Sequence, residues 1–538
     1  MQTALVRDGN ETHPGAKTKL TSVWKECFLS SRRTTAVARA MEARPPADGD
    51  AGDSTSAPFS SARFLSATAR AQMESQGASQ VWAEVTALAR LPGVLDLGQG
   101  WPDMGASEVA RAAASEAMLS GHDPRSNQYS PPPGAPELVA AIDRYYRATG
   151  SLPDDSVQRD VLVTTSATEA LYVTLQALCD PGDEVVFLEP FFPWYIAHAR
   201  IFGATPRTVR LRADDDPGAA KTRDARFWLD LNDLRAAFVA GAGKTKAFIH
   251  CNPHNPTGVM FSEAETRAIA QLCAEFNVVI VADEVYERCT FDEQAPMTRI
   301  ADVAANENGT ETETETEIEN VRARTLVVGS ASKLLCLSGW RVGWVVGPKP
   351  LIAALRTMHG YATFCAPTPL QLGVAAALTK IADDADAETR RRAADASVLS
   401  PEEGRAFVET ARRREAAFAC TRGRLVPDAV AGIVASNVSV LSRALADSGV
   451  APFAPSGGYF LVADVSNTGL AATEYCKALA TGPARVAAVP MDVFFDEKKD
   501  SANDVPRNLV RFAVCKSSET IGKCAEAIRS NPIGAARK

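Results

Sequence analysis

Cysteine is scarce for a chain of this length: 11 among 538 residues, with no C-x-x-C pair. That dilution excludes a disulfide scaffold and makes a reducing compartment the simpler setting. No metal site is expected. Long apolar runs are also missing. The valine-rich stretches are short and broken by charges or glycines, which argues against a membrane span. Nor is there a basic excess. The 57 Lys and Arg against 65 Asp and Glu leave a net charge of -8, which disfavours a dedicated nucleic-acid binder. No internal repeat of a useful period occurs. The opening MQTALVRDGN lacks the basic-then-apolar order of a secretory signal.

What is present is material for a large folded protein. Hydrophobic residues make up 46%, enough for cores in two or three domains. Residues 1–68 read as a disordered leader or a targeting segment. The Pro-, Gly- and Asp-rich ARPPADGDAGDSTSAPFSS fits the first. Lys17, Lys19, Lys25, Arg32, Arg33 and Arg39 among Ser and Thr fit the second, although Glu11 and Glu26 dilute that pattern. The expected location is cytoplasmic, with organellar import, into a mitochondrion or plastid, as the alternative.

A helical pattern runs from Ala69 to Ala89, followed by the short strand and glycine turn of GVLDLGQGWPD. From Ala135 onward, helices such as ELVAAIDRYYRA and TEALYVTLQALC alternate with continuous apolar strands: VLVTT, EVVFLEP, TKAFIHCN, VVIVADE and RTLVVGS. Such alternation predicts an α/β fold with a mostly parallel central sheet covered on both faces. Residues 119–381 form the large domain in this reading, and 80–118 with 382–530 a smaller α+β domain. The acidic segment 305–320 alternates Thr and Glu with nothing to bury and reads as a surface insertion.

Ligands of such sheets gather at the carboxyl ends of the strands, and that is where the polar motifs fall. Lys333 follows RTLVV within Gly329-Ser330-Ala331-Ser332-Lys333. It either solvates a turn or is a desolvated amine that bonds an aldehyde cofactor, whose phosphate Ser330 and Arg341 could bind. Asp283 ends the very apolar VVIVAD. It either caps a following helix or faces a cation such as a protonated pyridine nitrogen. Tyr286 lies three residues on, and Glu284 faces elsewhere on either reading. Asn255 sits in HCNPHNPTG, as an ordinary Asx turn or as a donor to an anionic ring oxygen. Ser166, Ala167 and Thr168 open the helix after VLVTT, a cap that doubles as a phosphate site. Phe191, Phe192, Trp194 and Tyr195 cluster in EPFFPWY, where one could lie against a ring and core packing is the default for each.

Taken together, GSASK-LLCLSGWRVGW, ADEVY, NPHNPTG, LDLGQGWPD and SNQYSPPPGAPEL resemble the class I/II aminotransferases of fold type I, from about Gln80 to Gly522. Among these the chain looks most similar to kynurenine–glutamine transaminases, which are also cysteine-S-conjugate beta-lyases, and to methionine aminotransferases. The resemblance implies pyridoxal 5'-phosphate held by the large domain, with Lys333 as its covalent partner and Asp283 on the pyridine nitrogen. It implies Asn255 and Tyr286 on the phenolic oxygen and Phe192 stacked on the ring. Ser166, Ala167 and Thr168 would form the phosphate turn, with Ser330 and Arg341. Tyr129 would reach the phosphate of a neighbouring subunit, hence a homodimer with shared sites. Arg511 would grip the substrate α-carboxylate, and Trp82, Gly100, Asn255 and Phe364 would line the substrate site.

Two departures bear on specificity. Cys365 stands where the similar animal enzymes carry histidine, and Thr168 replaces a tyrosine; both put kynurenine preference in doubt. The expected reaction is transamination between an aromatic, sulfur-containing or glutamine-like L-amino acid and a 2-oxo acid, kynurenine with oxoglutarate included. Beta-elimination from cysteine conjugates and a non-catalytic regulator on the same fold are the alternatives.

Overall fold

In the computed structural model, the described residues are 65–74, 77–119, 123–149, 158–213, 226–292, 296–303, 320–395, 426–496 and 506–534. The expected leader lies outside them up to residue 64, as does the acidic insertion up to residue 319.

The central sheet has seven strands: β1 (Arg159–Thr164), β2 (Glu184–Glu189), β3 (Thr205–Arg210), β4 (Thr245–Cys251), β5 (Val279–Asp283), β6 (Thr325–Ser330) and β7 (Gly343–Pro348). Their spatial order is β1-β7-β6-β5-β4-β2-β3. β7 runs antiparallel to both its neighbours, and every other pairing is parallel. The mostly parallel sheet expected from the alternation is present. Two of its strands have no counterpart in that reading. β3 is one of the two edge strands, and its TPRTVR carries polar residues of the kind an edge tolerates. β7, GWVVGP, follows Lys333 so closely that it reads as the tail of that motif.

Alternate residues along each strand enter two separate cores, which is why the strands need apolar residues without a break. Val163, Val186, Phe248, Ile280 and Val327 pack on one face, with Leu138, Ile142, Ile269 and Leu378 of the covering helices. Leu162, Phe187, Ile249, Val281, Val328 and Val345 pack on the other, with Leu171, Leu175, Ile352 and Leu355.

A second sheet is antiparallel and smaller: β8 (Ala451–Pro452), β9 (Phe460–Asp464), β10 (Val489–Pro490) and β11 (Leu509–Ala513), in the order β8-β9-β11-β10. The helix Val426–Asp447 covers it through Val434, Leu441 and Leu445. Its Val430–Asp447 window is long and apolar enough to cross a bilayer by composition, and a third of it is buried inside the fold. Two remote segments also meet edge to edge, Leu95–Asp96 pairing in parallel with Val486–Ala487.

Candidate active site

The carboxyl ends of β1, β2, β4, β5 and β6 converge with the amino end of β7 on one edge of the central sheet, and there a cavity of about 400 Å³ opens. Its walls bring together Trp82, Gly100, Ser166, Ala167, Thr168, Phe192, Asn255, Asp283, Tyr286, Ser330, Lys333, Arg341 and Arg511. These come from segments spread over more than 400 residues of chain.

Lys333 rides on a single helical turn, Ala331–Leu334, whose amino end Ser330 caps by accepting from the Ser332 N–H at 3.1 Å. The Tyr459 hydroxyl donates to the Lys333 carbonyl at 2.8 Å and fixes the turn from the small sheet. The amine donates to the Gly100 carbonyl and lies 5.8 and 5.5 Å from the ring centres of Tyr286 and Tyr459. Burial pushes it down to about 8, helped by the nearby charges of Arg511, Arg341 and Lys516 and opposed by Cys515. Such an amine has a far larger neutral fraction near physiological pH than an ordinary lysine, and the neutral form is what a nucleophile or base requires.

Asp283 is buried at the end of β5. A turn follows it, not a helix, so the capping alternative has no helix to cap. One carboxylate oxygen accepts from the Tyr195 hydroxyl, and the other from the Val285 N–H at 3.4 Å. Burial raises its carboxyl, against the pull of Tyr195, Val285 and the Lys333 charge. Glu284 points away into a buried cluster, paired with Arg299, which also binds Glu287. Tyr286 is buried, which raises its phenol well above the ordinary value.

Asn255 sits in a backbone turn, and its side chain reaches the second sheet: its Oδ1 accepts from Arg511 Nη1 at 3.1 Å. The Arg511 guanidinium is buried between the rings of Phe460, at 3.8 Å, and Phe494, at 4.6 Å, with Trp82 at 5.4 Å. Its Nη2 donates to Gly98 O at 3.0 Å, and its Nε has no partner. Burial lowers its pKa to about 9. A buried guanidinium with a free donor and no ion-paired carboxylate among the described residues is a site for an anion.

The turn between β1 and the helix Ala167–Leu178 completes the cavity. Ser166 holds a left-handed φ of 88° and makes no side-chain cap bond, so the first N–H groups of the helix remain available to an anion. Gly343 allows that turn to lie close: a Cβ on it would meet Ala167 N at 2.4 Å and the Ser166 carbonyl carbon at 2.5 Å. Arg341 reaches the same end, its Nη1 on Ser338 O at 2.9 Å.

Of the four aromatics in EPFFPWY, Phe192 and Trp194 line the cavity, stacked at 4.9 Å. Phe191 and Tyr195 turn into the core. Two candidates stand outside the cavity of a single chain. Tyr129 and Phe364 are 81% and 49% exposed and meet edge to face at 5.3 Å. Cys365, next to Phe364, does not line it either. Thr86, Gln99, Ser332, Ser338 and Phe460 also line it, and the sequence reading gives them no role. Their types carry no signal, and only the fold brings them in. Among the described residues there is no cluster of three or more His, Cys, Asp or Glu fit for a metal.

The model of the family described as aminotransferase class I and II matches residues 92–398. The chain belongs to this family. The probable N-succinyldiaminopimelate aminotransferase DapC of Mycobacterium tuberculosis is 34% identical over 464 residues, covering 86% of this chain and 97% of that protein. Human kynurenine–oxoglutarate transaminase 3 is 29% identical, covering 84% and 88%. Among solved structures, the Mycobacterium tuberculosis N-succinyldiaminopimelate aminotransferase superposes with a TM-score of 0.64 at 31% identity, covering 84% of this chain and 96% of that one. YbdL of Escherichia coli, whose structure identifies a methionine aminotransferase function, does so at 0.62 and 26%, covering 84% and 96%.

This aminotransferase is therefore a pyridoxal-phosphate-dependent enzyme acting on amino acid and 2-oxo acid pairs, with the α/β architecture of fold type I. The cavity fits that cofactor on its own chemistry. It offers a depressed amine, a buried carboxylate with no paired cation among the described residues, and a helix start left open to a phosphate.

Proposed function

We propose that the enzyme transaminates L-amino acids with neutral aromatic, sulfur-containing or glutamine-like side chains, kynurenine among them, using a 2-oxo acid as acceptor. The observation that carries this reading is the charge arrangement of the cavity. Its charged lining residues are Asp283, Lys333, Arg341 and Arg511, and the remaining wall of Trp82, Thr86, Gln99, Trp194 and Phe460 is neutral. Once cofactor and α-carboxylate engage those four, no cation is left among the described lining residues for a second carboxylate. A neutral side chain gains apolar contact there, and Gln99 and Thr86, themselves bonded at 3.2 Å, offer it polar partners.

Bound pyridoxal phosphate supplies an electron sink for negative charge at the substrate α-carbon. In this reading Lys333 would hold the cofactor, and its free amine would move the α-proton. Asp283 offers the buried anion that a protonated ring nitrogen requires, Asn255 and Tyr286 orient the phenolic oxygen, and Phe192 covers a ring face. Ser166, Ala167, Thr168, Ser330 and Arg341 take the phosphate. Arg511 takes the α-carboxylate and exchanges its present acceptors, Gly98 O and Asn255 Oδ1, for a charged one. Tyr129, exposed beside Phe364, is available to a second copy of the chain, and a homodimer with shared sites belongs to the proposal.

The test is a panel of amino donors against two or three 2-oxo acids, compared by kcat/KM. Methionine, phenylalanine, glutamine or kynurenine should lead. Preference for aspartate or for an N-succinylated amino acid would reject the neutral pocket, since either brings an extra carboxylate. Pyruvate formation from a cysteine conjugate outpacing every transamination would reject the order of activities.

A further inference from the structure

Three cationic side chains donate to one short stretch of backbone. Arg511 Nη2 donates to Gly98 O at 3.0 Å, Lys333 Nζ to Gly100 O, and Lys516 Nζ to Trp101 O at 2.8 Å. The stretch is fixed at both ends. Asp96 Oδ1 accepts from the N–H groups of Gly98 and Gln99 at 2.8 and 3.2 Å. Asp103 accepts from the Ser517 N–H and, at 2.7 Å, from the Thr520 hydroxyl. In the middle, Gly100 lies so close to Phe460 that a Cβ on it would meet the ring at 2.5 Å.

The three donors differ in what else draws on them. Lys333 and Arg511 line the cavity, and in the proposed function one turns to the cofactor and the other to a carboxylate. Lys516 does not line it. It is 1% exposed, has no ion pair among the described residues, and lies 3.7 Å from the centre of the Trp101 ring. Its direct partner is Trp101, by carbonyl and by indole face, and the carboxylates of Asp96 and Asp103 act on it from beyond ion-pair distance. A buried ammonium without a carboxylate in direct contact is costly, and an apolar side chain of the same length would fill the space without that cost.

We propose that Lys516 is a positioning residue for the amino-acid substrate. It holds Gly100, which lines the cavity, and the half-exposed Trp101 beside it while Lys333 and Arg511 leave that backbone for their ligands. The inference rests on the proposed roles of Lys333 and Arg511. Without Lys516, Gly98–Trp101 would lose its last cationic donor as substrate binds, and the wall against the substrate would loosen.

The experiment uses the full chain loaded with pyridoxal phosphate and compares Lys516→Met with Lys516→Arg. Lys516→Met should keep the visible cofactor band and its loss on adding amino donor, while the donor KM rises about tenfold and kcat changes by less than about threefold. Acrylamide quenching assigned to Trp101, by difference from Trp101→Phe in each background, should increase, and Lys516→Arg should recover part of both effects. If Lys516→Met binds cofactor but leaves KM and quenching unchanged, the inference fails. If the wild-type chain shows no band at all, the reading beneath it fails instead. Should Lys516→Met not fold, Trp101→Ala decides: an unchanged donor KM overturns the proposal.

Discussion

Replacing Gly343 by alanine should damage cofactor binding from outside the cavity. The residue lines no part of the site, yet its Cα faces the turn that starts the helix after β1. The added methyl would lie 2.4 Å from Ala167 N, 2.5 Å from the Ser166 carbonyl carbon and 3.1 Å from Ser166 Cα. All three are backbone atoms, so no flexible side-chain end can move aside, and ordinary contact needs about 1 Å more. Overpacking of this kind costs about 1–3 kcal/mol. Either the apoprotein bears the strain, or the turn moves and ceases to present its N–H groups correctly. If the whole cost falls on the turn, cofactor affinity drops about 5- to 150-fold. Titrating purified apoprotein with pyridoxal phosphate by visible absorbance measures the Kd, and thermal unfolding without cofactor measures the strain. Gly105→Ala is the control, because a Cβ there meets nothing within 4 Å. If Gly343→Ala matches wild type in both Kd and thermal midpoint, the close approach assigned to this turn is wrong.

Cofactor capture by apoprotein should depend on pH through the Lys333 amine. Its pKa lies below its ordinary value, so the neutral fraction rises from about a tenth at pH 7 to about nine tenths at pH 9. The initial capture rate should therefore climb through pH 8 and level off near pH 9; a climb continuing past pH 10 would mean an unshifted amine. Arg511→Lys should raise the donor KM by about tenfold or more while leaving the cofactor band in place, because one ammonium cannot replace a planar fork. Unchanged KM would remove Arg511 from the substrate site.

The parts of the site that were legible in the sequence are those where fold and chemistry share a local signature. Asp283, Asn255, Lys333 and Ser166 each follow an uninterrupted apolar strand, and buried parallel strands put their following residues on one edge. The acceptor and donor partners were not legible. Tyr195 bonds Asp283 across 88 positions, Asn255 bonds Arg511 across 256, and Lys516 bonds Trp101 across 415. No periodicity links residues so far apart. Edge strand β3 was not legible because polar residues break its apolar run, and β7 because it follows Lys333 so closely that it reads as the tail of that motif. Phe364 and Cys365 carry a further lesson. The family pattern put them at the substrate, whereas the single chain holds them outside its cavity, with Phe364 against Tyr129.

The central claim is that Lys333 is the residue that bonds the cofactor. Borohydride reduction of the loaded enzyme, followed by proteolysis and mass spectrometry, tests it directly. The account predicts loss of the visible band and a single pyridoxyl-phosphate mass on the peptide containing Lys333, absent from Lys333→Ala. Label on Lys516 or another lysine, or no reducible band at all, would contradict it.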